Sequence, residues 1–246
     1  MTSSHGYDYV GHHSEPRITA NELARFMVAS DVGREAIIRN ARAPKEAIVV
    51  RYKDVRSIVN NFLTNPYQDT EILAAGQRMF AQRANDNSVS AFWRNDADLS
   101  LEIIDSAFGM RNDFSPVDFQ PAPKKQNNLQ IEGVTVSVQL DALVHSGSPA
   151  SPTIGGAILR LSKADDNETV SAAEKRREMG IYCAVLACLH VDAHFNGYEG
   201  RVPAPNSSMA IDLRSGEIHR APRQFARRRQ NLFAACRTIS ALWDAA

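Results

Sequence analysis

The chain has 246 residues, of which 43% are hydrophobic and 23% charged, a composition typical of a folded globular protein and not of a disordered one. Its 28 basic and 28 acidic residues cancel, so the overall charge gives no general attraction to nucleic acid or to anionic membranes. Any such partner must therefore be held by a local patch.

The three cysteines, Cys183, Cys188 and Cys236, lie within apolar helical patterns and form no CxxC pair. We therefore expect reduced, buried thiols in a cytoplasmic protein. No stretch approaches the roughly 20 apolar residues of a membrane span, and the polar segment 1–15 lacks the apolar core of a signal peptide. These observations predict neither secretion nor a membrane partner.

Residues 18–114 carry apolar side chains at helical spacing, and we expect 1–17 to form a flexible tail. The sequence from Thr19 to Glu22 fits a capping box at the start of the first helix. Further helices are predicted after Asp31 as N-cap, over 55–62, over 69–80 and, as a short helix, over 101–108.

The segment 115–128 is predicted to be a linker. It contains Pro116, Pro121 and Pro123 followed by two lysines, a composition that resists regular structure. We therefore divide the chain into a helical region at 18–114, a linker at 115–128 and an α/β core at 129–246.

Beyond the linker, the apolar period changes from that of a helix to that of strands. Residues 134–140 alternate apolar and polar and lead to Asp141. A short strand at 129–131 is expected before them, and a further strand at 154–163 after a loop at 145–153. We expect the strands at 134–144 and 154–163 to pair.

The remaining residues predict a long helix, a hairpin and a final helix. Ser171 and Glu174 fit a capping box for a helix over 171–195 that is apolar on most sides and therefore packs on a sheet. A hairpin at 209–220 precedes a terminal amphipathic helix. The predicted fold class is α/β, with a mixed central sheet flanked by helices and a helical N-terminal region.

This order of elements resembles the core of the RecB-type branch of the PD-(D/E)XK nucleases. Two segments carry the resemblance: 133–144, which leads to Asp141, and 156–163, which ends in Lys163. The resemblance covers the chain from about residue 129 onward and implies that Asp141 is a metal ligand and Lys163 a catalytic residue. It also implies DNA as the substrate and Mg²⁺ or Mn²⁺ as the cofactor, since hard cations prefer carboxylate oxygens and activate water.

One position departs from the pattern of the family, which has an acidic ligand two residues before the lysine. Here that residue is Leu161, and the neighbouring Arg160 cannot replace it because it has the wrong charge and points to the opposite face of the strand. Some members supply the acid from the following helix, which makes Glu174 or Glu178 a candidate. The alternatives are a capping role for Glu174, a solvated helix position for Glu178 and a hydrogen-bonded turn for Asp141.

A group of basic residues falls near the predicted ends of the long helix, the hairpin and the final helix. They either form one patch that faces phosphate or lie on solvated helix faces. Few aromatic residues accompany them, so the sequence gives no sign of base stacking there. The candidates for nucleic-acid binding are Lys175, Arg176, Arg177, Arg223, Arg227 and Arg228.

Two histidines, His190 and His194, are spaced i, i+4 on the predicted long helix. This spacing is compatible with zinc, but the acidic residue of an HExxH motif is missing. We therefore do not expect a zinc site there.

Two functions are compatible with the sequence. The first is a metal-dependent DNA nuclease with a rearranged site, or a relative that has lost catalysis and still binds DNA. The second is a non-enzymatic interaction protein whose helical N-terminal half docks on a partner protein. The retained Asp141 and Lys163 favour the first function, whereas Leu161 favours the second.

Overall fold

The computed structural model of the protein describes residues 13–43, 51–161 and 169–245. Within these ranges the fold is α/β, with two mixed sheets flanked by helices. The predicted fold class is therefore confirmed. No helix in the described ranges is long and apolar enough to span a bilayer.

The N-terminal half consists mainly of helices. Its elements are β1 (Arg17–Thr19), α1 (Ala20–Val28), α2 (Asp31–Arg42), α3 (Lys53–Leu63), α4 (Glu71–Asn85), α5 (Ala91–Gly109) and the single turn α6 (Arg111–Phe114). The predicted capping box is present, because the Thr19 hydroxyl accepts the Glu22 N–H and the Glu22 carboxylate accepts the Thr19 N–H. The N-cap of α2 is Ser30, not Asp31, and its hydroxyl accepts the N–H of Gly33.

Helix α5 is 19 residues long, so the helix predicted at 101–108 is present but is longer than predicted. Its first half lacks a clear apolar stripe, and tertiary contacts stabilise it instead. Ala97 is fully buried, and the buried carboxylate of Asp96 accepts the N–H of Tyr52 at 3.1 Å. Tertiary contacts of this kind override weak local periodicity.

The second half contains most of the strands. Its elements are β2 (Asp118–Pro121), β3 (Leu129–Ile131), β4 (Val134–Ser137), β5 (Ala142–Ser148), β6 (Ser151–Arg160), α7 (Val170–His194), β7 (Val202–Pro203), β8 (Met209–Asp212), β9 (Glu217–Arg220) and α8 (Ala226–Leu242). The predicted hairpin is β8 and β9, which pair antiparallel, and the predicted terminal helix is α8.

Strand β2 lies inside the segment that we expected to be an irregular linker. It pairs antiparallel with β5 at the edge of the main sheet, with Phe119 opposite Val144. Phe119 is buried, and Pro121 ends the strand, where the missing N–H is tolerated. The prediction that 115–128 lacks regular structure is therefore wrong for 118–121.

The predicted strand at 134–144 is divided between two sheets. Strand β4 ends at Ser137 and belongs to a small sheet with the order β1-β4-β3. Strand β5 begins at Ala142 and pairs with β6 through a tight turn at 149–150, so most of the predicted loop at 145–153 is strand. The alternation misled the prediction because Val138 and Leu140, between the two strands, are buried in the same core as β4.

The main sheet has the strand order β2-β5-β6-β8-β9, with β7 also paired to β6. One apolar core joins α1, α2, α7 and α8, and a second joins α3, α4 and α5 to the residues of β5, β6 and β8 that point the other way. Elements from both halves of the chain contribute to each core. The helical half therefore covers the sheet, while the predicted domain boundaries stay a prediction.

Candidate functional site

A cavity of about 510 Å³ lies at the end of β6, between the start of α3 and the turn that precedes β5. Asp141 and Leu161, two positions that the family resemblance singled out, both line it. The lining residues are Asn21, Arg51, Tyr52, Lys53, Arg56, Ser57, Asn60, Asp141, Leu159 and Leu161. Lys163 lies outside the described residues.

The carboxylate of Asp141 is bound by a guanidinium at this cavity. Arg56 Nε donates to Oδ1 at 2.6 Å, and Arg56 Nη2 donates to Oδ2 at 2.8 Å. The N–H of Leu159 donates to Oδ2 at 2.7 Å. The Asp141 side chain is only 7% exposed, and bidentate pairs of this kind are the strong ones.

The position at which α3 begins places Arg56 at the cavity. Tyr52 has a left-handed backbone with φ of 63°, and its N–H is held by the carboxylate of Asp96. Val55 and Val59 then face the second core. Arg56 therefore lies on a different face of the first turns, from which it reaches Asp141.

The described residues around Asp141 do not fit a divalent cation. Mg²⁺ and Mn²⁺ need several oxygen ligands in a defined geometry, but both Asp141 oxygens already accept from Arg56, and Leu161 is a buried aliphatic side chain. Within residues 13–43, 51–161 and 169–245, no group of three His, Cys, Asp or Glu side chains is arranged to hold a metal ion.

The structure does not bring the proposed replacement acids to the cavity. The Glu178 carboxylate accepts two hydrogen bonds from Arg228 Nη2, at 3.1 and 3.0 Å. Glu174 lies exposed near the start of α7, and neither glutamate lines the cavity. The predicted cap at Ser171 is also wrong. Helix α7 begins at Val170, before its predicted start, so Thr169 is the N-cap and its hydroxyl accepts the Ala172 N–H.

Several of the basic candidates form ion pairs with acidic residues of the protein itself. Arg176 is 9% exposed and pairs with Asp212 at 2.6 Å, so the prediction that it faces phosphate is wrong. Arg177 binds the Glu217 carboxylate, and Arg228 binds Glu178. The candidates that lie exposed are Lys175, Arg177, Arg223 and Arg227, of which Arg177 is paired with Glu217.

A buried charge network explains where Arg160 points. Its Nη1 lies 3.0 Å from Oδ2 of Asp212, whose side chain is fully buried on the α7 side of the sheet. The same Nη1 donates to the carbonyl of Arg176 at 3.2 Å. Leu161 lines the cavity on the other side, which confirms that Arg160 and Leu161 face opposite ways.

The N-terminal half brings basic residues to the site that the sequence pattern did not predict there. Arg51, Lys53 and Arg56 all line the cavity. Their clustering around the start of α3 was a visible signal, but nothing in the local pattern connects Arg56 with an aspartate 85 positions later. Only the packing of α3 beside the end of β6 creates the pair.

The function must be argued from this site, because comparison with known proteins gives no family. No protein-family model matches the chain, and no curated protein matches it significantly. The resemblance to PD-(D/E)XK nucleases therefore depends on the residues described above.

The two histidines of α7 lie together, with ring centroids 4.8 Å apart. His190 is fully buried, and neither of its ring nitrogens has a hydrogen-bond partner among the described residues. Burial, and secondarily the charge of His194, lowers the pKa of His190 to about 4. His190 is therefore a neutral core residue at pH 7.

Proposed function

We propose that the protein is a catalytically silent relative of the PD-(D/E)XK nucleases that binds DNA through its phosphate groups at the cavity next to Arg56. One observation carries the proposal: the Arg56 guanidinium binds both oxygens of Asp141, the carboxylate that the resemblance assigns to metal binding. The Asp141 carboxylate is thus paired with a positive charge from the protein itself. The cytoplasm is the proposed compartment.

The loss of catalysis follows from the donor set. A nuclease of this type needs carboxylate oxygens to hold the cation that activates water. Arg56 neutralises Asp141, and Leu161 offers no oxygen at the position of the second ligand. Phosphate binding needs neither a metal nor an activated water, so it survives these changes.

The charge of the cavity supports an anionic ligand. Its lining holds three basic side chains, Arg51, Lys53 and Arg56, and one acidic side chain, Asp141, which leaves a surplus of two positive charges. Arg51 and Lys53 are exposed. Guanidinium and ammonium groups placed in this way bind phosphate oxygens and release counterions from DNA.

The thiols support the cytoplasmic assignment. Cys183, Cys188 and Cys236 are free and buried. Burial raises the pKa of Cys183 and Cys188 to about 11 and that of Cys236 to about 12. Such thiols are protonated and inert at neutral pH, as expected for structural cysteines in a reducing compartment.

The test combines cleavage and binding measurements on the purified protein. Labelled DNA is incubated with Mg²⁺ and, separately, with Mn²⁺, and its binding is measured by anisotropy over a range of salt concentrations. We expect no cleavage with either metal and an affinity that falls as salt rises. Cleavage that disappears in Asp141→Ala would instead indicate an active nuclease with a rearranged site.

Two matched variants locate the binding surface. The double substitution Arg51→Ala/Lys53→Ala should weaken binding and lower the salt slope by about 2, roughly one unit for each lost phosphate contact. Arg111→Ala, at the start of α6, removes one exposed charge that does not line the cavity and should leave both the affinity and the salt slope nearly unchanged. If no DNA binds at any salt concentration, the proposal fails and the interaction-protein hypothesis gains support.

A further inference from the structure

We infer that the site takes single-stranded DNA in preference to duplex, because its bases can stack on Phe92 and Trp93 beside the cavity. The inference rests on the proposed function and adds a substrate class to it. It also assigns a role to the exposed start of α5.

Phe92 and Trp93 are exposed, whereas most of the other aromatic side chains in the described residues are not. Phe92 is 37% and Trp93 36% exposed, whereas Phe62, Phe80 and Phe114 are buried at 1% or less. The Phe92 and Trp93 rings contact each other edge to face, with centroids 5.3 Å apart. An exposed aromatic pair leaves apolar ring surface in water, which a stacked base would cover.

Arg51 connects this aromatic pair with the cavity. Its guanidinium carbon lies 4.7 Å from the centroid of the Phe92 ring, and its Nη1 donates to the side chain of Asn95 at 3.0 Å. Arg51 also lines the cavity. One side chain therefore belongs both to the phosphate-binding surface and to the aromatic surface, so a strand whose phosphates reach Arg51 passes beside the rings.

The rings are attached to a fixed part of the fold. They lie on the first turn of α5, and the next turn is anchored by the buried Asp96, whose carboxylate holds the backbone of Tyr52 at the start of α3. Rings that project from a helix need less ordering on binding than rings on a loop, which favours affinity.

The basic side chains and the aromatic pair together favour single-stranded DNA over duplex DNA. Basic side chains that follow the backbone, together with aromatic rings that accept any base, are the means by which proteins bind single strands without sequence preference. In a duplex the bases are already stacked on each other and paired. They could reach Phe92 and Trp93 only after unpairing, which costs free energy.

Tryptophan fluorescence gives a direct readout on the wild-type protein. The chain has two tryptophans, and Trp243 is buried at 1% exposure, with its indole N–H donating to the His13 carbonyl. Stacking should therefore quench the emission of Trp93. The probes are a single-stranded oligonucleotide, the corresponding duplex and an abasic single strand of equal length, which keeps the phosphates and lacks the bases.

We expect the intact strand to quench the emission and to bind about 5- to 150-fold more tightly than the abasic strand, the range that one stacked base provides. Phe92→Leu and Trp93→Leu should each remove much of this ratio. Trp93→Phe should keep the affinity and lose the quenching. Tyr67 is an aromatic residue that follows the C-terminal end of α3 and is 91% exposed. Tyr67→Leu should change neither the affinity ratio nor the quenching.

The outcomes separate this inference from the proposal on which it rests. Equal affinity for the intact and abasic strands, or tighter binding of the duplex, would overturn the inference and leave phosphate binding at the cavity intact. If none of the three probes binds, both the inference and the proposed function are wrong, and the aromatic pair is better interpreted as a surface for a protein partner.

Discussion

Arg56 and Asp141 are joined by two hydrogen bonds although 85 positions separate them in the chain. Arg56 comes from the helical half and Asp141 from the turn that leads into β5. Asp141 also holds β6 through the Leu159 N–H. The pair therefore fastens α3 to the end of the main sheet, and the residue that resembles a metal ligand has a structural role.

The first prediction concerns the strength of this pair. We expect Arg56→Met and Asp141→Asn each to lower the free energy of unfolding, because each leaves the other partner without its charged ligand. Arg56 is 37% exposed, so solvent reduces the effect, and a double-mutant cycle should give a coupling of about 1–2 kcal/mol. Urea unfolding of the four proteins measures it.

A control for this cycle is available on the surface. Arg237 pairs with Glu132 at 3.1 Å with side chains 59% and 34% exposed, and the same cycle there should give a coupling below about 1 kcal/mol. Equal couplings at the two sites would show that the Arg56 pair is an ordinary surface contact.

The second prediction concerns Asp212, which is fully buried and pairs with both Arg160 and Arg176. Asp212→Asn keeps the shape of the side chain but removes the negative charge that both largely buried guanidinium groups contact. Breaking a buried pair by removing one partner costs about 3–5 kcal/mol. We expect a loss of that order in the free energy of unfolding, measured by denaturant titration.

Glu217→Gln is the matched substitution for this experiment. Glu217 binds Arg177 with side chains that are 31% and 57% exposed, so its loss should cost no more than about 1 kcal/mol. A similar loss in the two variants would contradict the view that the Asp212 network is a buried anchor of α7.

Local patterns predicted the elements that depend on local physics. The capping box of α1 and the β8–β9 hairpin form where the sequence placed them, because their hydrogen bonds lie within a few residues. The break after Ser137 was not predictable, since Val138 and Leu140 keep the strand alternation while the chain passes from one sheet to the other.

The site was predictable only in part. The family resemblance was enough to place Asp141 and Leu161 in one site. Strand alternation was enough to place Arg160 on the face opposite Leu161. The partners of these residues come from distant elements: Arg56 from α3 and Asp212 from β8. The sequence therefore suggested a carboxylate open to metal, whereas tertiary packing supplies an arginine.

The third prediction tests the close packing between α7 and β9. A Cβ added at Gly180 would overlap the ring of His219, which is itself buried. Gly180→Ala should therefore lower the free energy of unfolding by about 1–3 kcal/mol, although alanine favours a helix. Gly109→Ala, at the end of α5, meets nothing within 4 Å and should stabilise the protein by up to about 1 kcal/mol. Stabilisation by both variants would contradict the packing described for α7.

The fourth prediction concerns acid unfolding and His190. The pKa of His190 is about 4 in the folded protein, below its ordinary value of 6.5, so between these values the unfolded chain binds a proton that the folded chain does not. The free energy of unfolding should therefore fall as the pH falls from about 6.5 to about 4, and this residue should contribute about 3 kcal/mol to the change.

His190→Leu removes the titrating group and keeps an apolar side chain in the core. We expect the loss of stability between pH 7 and pH 4.5 to be smaller in this variant than in the wild type, as measured by urea unfolding at both pH values. His194→Asn should keep most of the wild-type pH dependence, because burial is a larger cause of the lowered pKa than the charge of His194. If His190→Leu loses as much stability on acidification as the wild type does, other groups control the acid response and His190 is not the buried base that its surroundings indicate.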